Sequence, residues 1–190
     1  MDDSSINLSP DDRAALLHVA RESVRHGLDR REPLPVDASR YSLVLQQVQA
    51  TFVTLHVGGR LRGCIGALEA RRPLIEDVSR HAFAAAFRDS RFTPVQEVEF
   101  LSLSYHISIL SSPEPMAVAS EQDLLSRLRP GIDGVILDEP PRRATFLPQV
   151  WEMAPRPADF LALLKTKGGW PAGYWSRRIK VSRYTTLSVE

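Results

Sequence analysis

One cysteine, Cys64, lies in the run Arg60-Leu61-Arg62-Gly63-Cys64-Ile65-Gly66. A lone thiol forms neither an internal disulfide nor a multi-thiolate zinc site. Its chemistry is therefore that of a single nucleophile. A thiolate needs a nearby cation or base, and Arg62, two residues away, falls on the same strand face. Gly63 and Gly66 would let a substrate approach the backbone and would leave N–H groups free as oxyanion donors. The competing role is a small buried thiol that fills the core. His106 is the first candidate base, because imidazole titrates near neutral pH. His81 is the second. Spacing does not choose between a Cys64–His106–Asp89 and a Cys64–His81 arrangement. Arg62, Arg88 and Arg91 could converge on an anion. The plainer alternative is that Arg88 and Asp89 bridge locally and Arg91 braces a turn.

These residues depend on the elements that carry them. Phe52-Val53-Thr54-Leu55-His56-Val57, then Gly58-Gly59, then residues 60–65, reads as a hairpin, since both turn glycines can take positive φ. A two-residue turn puts Val57 opposite Arg60, Leu55 opposite Arg62 and Val53 opposite Cys64. His56 then points away from Cys64, unless a bulge intervenes. Ser9-Pro10-Asp11-Asp12 opens a helix that fades near Arg31. Pro73 opens another, ending near Asp89-Ser90, with Ala84-Ala85-Ala86 permitting close approach of another backbone. From Phe100 to Leu110, apolar Leu101, Leu103, Tyr105, Ile107 and Ile109 alternate with Ser and His106, the pattern of a half-buried strand. Ser111 to Pro115 marks a lobe boundary. Beyond it come a helix over 121–128, strands near 135–137 and 144–147, a helix over 158–167 and a last strand over 179–185. Mixed elements without a βαβ repeat predict an α+β fold with antiparallel or mixed sheets.

The chain has 190 residues and a net charge of +1, too balanced for a strong polyanion binder. No stretch approaches the roughly 18 apolar residues of a membrane span. The acidic start, MDDSSINLSPDD, is the reverse of a secretory signal, which makes the cytoplasm the expected location. The five histidines are dispersed, without HxH or HExxH spacing, so no metal and no cofactor is expected. Lys165-Thr166-Lys167-Gly168-Gly169 lacks the order of a phosphate loop.

Leu61-Arg62-Gly63-Cys64-Ile65-Gly66 resembles the signature of the AMMECR domain family, whose bacterial members are called AmmeMemoRadiSam system protein A. Residues 84–92, Ile107-Ser108-Ile109-Leu110, Pro113-Glu114-Pro115, Asp133-Gly134-Val135, Phe146 to Trp151 and Leu163-Leu164-Lys165 extend the likeness in order, over roughly residues 10 to 190. Ser90 departs from it, standing where the family has proline. The resemblance implies one two-lobed α+β domain over 1–190, with residues 1–9 flexible and the hexapeptide near an interlobe cleft. It implies genetic association with a Memo-type protein, which resembles extradiol dioxygenases, and with a radical S-adenosylmethionine protein. Three functions follow as expectations. The first is a thiol-dependent enzyme acting at Cys64 on a small anionic or modified substrate. The second is a non-catalytic subunit docking on the Memo-type partner. The third is a module that binds nucleic acid through arginines, Trp170, Tyr174 and Trp175.

Overall fold

A computed structural model describes residues 6–190. Ser9 Oγ accepts from the Asp12 backbone N–H at 3.1 Å, and the Asp12 carboxylate accepts from the Ser9 N–H at 2.9 Å. This reciprocal cap starts α1 (Pro10–Arg30), as its sequence predicts. Arg31 closes the helix at φ 61°. Leu8, just before the cap, is buried in the core. Residues 1–5 lie outside the described residues.

Gly58 and Gly59, at φ +56° and +77°, join β1 (Ala50–Val57) to β2 (Arg60–Gly66) as the hairpin reading requires. Val57 pairs with Arg60. The register then slips: His56 lies opposite Leu61 and Leu55 opposite Gly63, which leaves Arg62 as the extra residue of a bulge. Cys64 therefore pairs with Thr54, and Val53 with Ile65. Directly opposed residues share a face, so the expected separation of His56 from Cys64 is overturned.

β3 (Leu103–Leu110) pairs with the other edge of β1, placing His106 opposite Thr54 and Ile107 opposite Val53. The strand starts later than its alternation suggests. Glu97–Ser102 form a 3-10 helix, whose start is held by the Gln96 N–H donating to Glu99 at 2.9 Å, and Leu101 is exposed. With β8 (Thr186–Val189), the sheet order is β2–β1–β3–β8. α1 and α2 (Leu74–Phe87) cover one face, over Leu16, Val24, Val53, Leu55, Val78 and Ile107. Each such side chain contributes about 1.5–3 kcal/mol when fully buried. A Cβ at Gly63 would collide with the Ala85 carbonyl, so glycine here allows the close approach that the alanine run was expected to permit.

The chain divides into two compact units, one running to Leu110 and including Leu187–Glu190, the other Ser111–Thr186. The second holds β4 (Glu114–Met116), α3 (Glu121–Arg127), β5 (Gly134–Glu139), β6 (Arg142–Phe146), α4 (Pro157–Lys167) and β7 (Lys180–Tyr184). Its strands are antiparallel in the order β4–β7–β5–β6. Trp151 stacks on Phe160 at 3.8 Å between ring centroids and donates its indole N–H to the Asp133 carbonyl at 2.7 Å. Buried Lys165 meets Glu121 at 2.8 Å, which offsets the cost of enclosing a charge. The strand expected over 179–185 is β7, and β8 is a further strand beyond it. The fold is α+β. Among the described residues, no helix is long and apolar enough to cross a membrane.

Candidate functional site

β2 is an edge strand, and an edge leaves backbone groups without a strand partner. At Cys64 two side chains take that place. The Cys64 N–H donates to Asp89 Oδ2 at 2.8 Å, and its carbonyl accepts from Arg91 Nη2 at 3.3 Å. Asp89, buried just past α2, also accepts from Arg91 Nε at 2.9 Å, Nη2 at 2.7 Å and the backbone N–H at 3.1 Å. The Arg91 guanidinium, helped by the backbone N–H groups of Cys64 and Arg91, holds the Asp89 carboxyl well below the usual carboxylate range despite its burial. Asp89 in turn raises the pKa of Arg91. The result is a charged clip that fixes the backbone of Cys64.

The sulfur itself faces away from the helices. Thr54 Oγ1 donates to Cys64 Sγ at 3.2 Å, and Cys64 is half-buried. Beyond Thr54, on the next strand, comes His106. Cys64, Thr54 and His106 thus form a row across three strands, each step about 4.8 Å. His106 Nε2 is buried without a hydrogen-bond partner.

Other candidates lie elsewhere. His81 sits on α2, across the sheet from the sulfur, with Nδ1 2.9 Å from Thr51 Oγ1 and 3.1 Å from Asp77. The structure does not bring it to Cys64. Asp89 contacts the backbone of Cys64 and Arg91 instead of orienting an imidazole. Arg62 is bound through Nε and Nη2 to Glu99 at 2.7 and 3.0 Å, and Arg62 holds the Glu99 carboxyl below its ordinary value. Arg88 lies over the Phe83 ring at 5.1 Å and lines a separate cavity of about 430 Å³. The glycines are accounted for by packing: Gly63 against Ala85, Gly66 against the Phe52 ring and the Thr51 carbonyl. The Cys64 N–H, between the two glycines, is engaged by Asp89. Thr54 was not singled out from the sequence, because only the shifted register makes it the neighbour of Cys64.

The AMMECR1 family matches residues 17–189. A protein of Methanothermobacter thermautotrophicus is 36% identical over 171 residues, covering 86% of this chain and 85% of its own. One from Thermotoga maritima is 33% identical over 171 residues, covering 89% and 91%. The crystal structure of the uncharacterized protein PH0010 from Pyrococcus horikoshii superimposes with a TM-score of 0.83 at 28% identity, covering 91% of this chain and 88% of that one.

Proposed function

The chain belongs to the AMMECR1 family, and we propose that it is a thiol-dependent enzyme acting through Cys64 on a small anionic or modified substrate. The Thr54 hydroxyl that donates to Sγ at 3.2 Å carries this reading, because it fixes the direction of a half-buried sulfur on the face turned away from the helices. Arg91 adds a cation beside the same residue. The Asp89 clip keeps the strand in place while the sulfur reacts. His106, opposite Thr54 on the next strand, is the base of this reading. In catalysis the Cys64 sulfur adds to a carbonyl carbon: the S–C bond forms as the C=O π pair moves to oxygen, and His106 takes the thiol proton. Iodoacetamide tests the idea at about pH 6.5, roughly two units below an ordinary thiol. Cys64 in the folded chain is expected to react faster than a free-thiol control, and Thr54→Val to slow it. Labelling no faster than global unfolding allows would remove the nucleophile.

A second reading rests on Val98 and Leu101, which are 87% and 78% exposed on the 3-10 helix that Glu99 ties to Arg62. Two large apolar side chains in water on an anchored turn suit docking onto a protein, here one of the Memo-type or radical S-adenosylmethionine kind that the family resemblance implies. Val98→Glu with Leu101→Glu should then abolish co-elution with such a partner and leave Cys64 labelling unchanged.

A further inference from the structure

A cavity of about 550 Å³ lies in the first unit, a volume suited to a small molecule. α1 contributes Leu17, His18 and Arg21, while β1 and β3 contribute His56, Tyr105 and His106. Three of the five histidines therefore line one space. Across the protein most buried or clustered charges are committed: Arg62 to Glu99, Arg91 to Asp89, Arg129 to Asp133. Arg21, an exposed residue lining this cavity, is not. Among the described residues Arg21 makes no ion pair, its guanidinium lying 5.2 Å from the Phe100 ring centroid. The Tyr105 hydroxyl and His106 Nε2 are both buried without a partner. Native proteins rarely leave buried polar atoms unpaired, so each such atom calls for an explanation.

The chemistry of these groups narrows the ligand. A guanidinium only donates. Burial pushes the Tyr105 phenol up, so it stays protonated and available as a donor. Imidazoles can each present an N–H. A set of donors with few acceptors fits an oxyanion. Leu17 and the Tyr105 ring offer apolar surface, which a bare inorganic ion does not use. Glu190 lines the same cavity, and its carboxylate opposes a doubly charged ligand. No group of three or more His, Cys, Asp or Glu among the described residues is placed to hold a metal, so the histidines do not form a cation site. We propose that this cavity binds a small organic monocarboxylate, its carboxylate on Arg21 and Tyr105 and its apolar body on Leu17.

Benzoate, titrated into the full chain and followed by the imidazole proton resonances, tests the site. The expected result is saturable shifts at His18, His56 and His106, with His26 and His81 unmoved. Arg21→Gln should weaken benzoate about tenfold, the loss expected for one charge-assisted contact. Tyr105→Phe, which removes an unpartnered hydroxyl and should fold at least as well, should weaken it about fivefold. Arg60→Gln, on the exposed hairpin turn, should leave it unchanged. The proposal shares His106 with the thiol reading but not the sulfur: Cys64→Ser should retain the benzoate shifts whether or not Cys64 is a nucleophile. Absence of saturable shifts, equal shifts at all five histidines, or binding of inorganic phosphate in preference to benzoate would overturn it.

Discussion

His81 and His106 flank one sheet from opposite sides, His81 on the helix that covers it and His106 on β3 itself. His81 is almost enclosed and touches both Thr51 and Asp77, while Thr51 Oγ1 also donates to Asp77 at 2.8 Å. Arg72 adds a longer contact to Asp77 at 3.5 Å. Polar groups there answer one another, and the cluster pins α2 to β1. His106 lies directly across β1 from Cys64, and its Nε2 has no partner. The contrast separates two uses of the same residue type. A satisfied buried network is architecture, since removing one member leaves others orphaned. An unsatisfied imidazole adds little to the fold, and its polarity remains available for a ligand or a proton.

The largest effect should come where a satisfied network is broken at its most charged point. Asp89→Asn leaves the Cys64 N–H and Arg91 facing an amide that cannot accept as the carboxylate did. A loss of about 3 kcal/mol is expected by denaturant unfolding at neutral pH. The acid dependence sharpens this. The native pKa of Asp89 is lowered, so its contribution is complete above the unfolded value of about 3.9 and drains away as pH falls towards the native one. The gap between wild type and Asp89→Asn should therefore narrow below about pH 3.9. A gap that stays constant into strong acid would show that the carboxylate charge is not what holds the edge.

The histidine pair tests the comparison directly. His81→Leu should cost about 2 kcal/mol, because it strands buried Asp77 and Thr51. His106→Leu should change stability by less than about 0.5 kcal/mol or increase it, because no bond is lost. Equal losses in thermal melts would abolish the distinction between the two faces. A smaller effect is expected at Arg62. Its contacts with Glu99 are bidentate but only partly buried, so Arg62→Met should cost about 1–2 kcal/mol and leave Cys64 labelling within a factor of about 2. Abolished labelling with intact folding would move Arg62 from the scaffold to the chemistry.

Much of this scaffold was legible in the residues because its causes are local. Ser9 and Asp12 cap α1 across three positions. Gly58-Gly59 can both take the positive φ that a two-residue hairpin turn requires. Alternation from Leu103 to Ile109 marks a half-buried strand without any knowledge of what covers it. The candidate list was legible as types, with Cys64, His106, Asp89 and Arg91 all named, but their roles were not. The Arg62–Glu99 pair joins residues 37 apart in the chain, and the Asp89 contact with Cys64 joins residues 25 apart. Pattern and propensity carry no information about contacts at that separation. The expected strand also began three residues too early, at Phe100: the 3-10 helix capped by Glu99 runs to Ser102 before β3 starts at Leu103.

The sequence by itself determined that β1 and β2 form a hairpin, that α1 and α2 are helices, and that one cysteine sits in the second strand. It could not determine which way that cysteine faces. A strand repeats every two residues, so one extra residue reverses every side chain beyond it. The bulge at Arg62 is that residue. It goes with Gly63 packed against the Ala85 carbonyl and Arg62 drawn to Glu99, contacts that exist only once helix and sheet have come together. Tertiary packing thus decided that Cys64 lies beside Thr54, in a row with His106, instead of beside Val53 in the core.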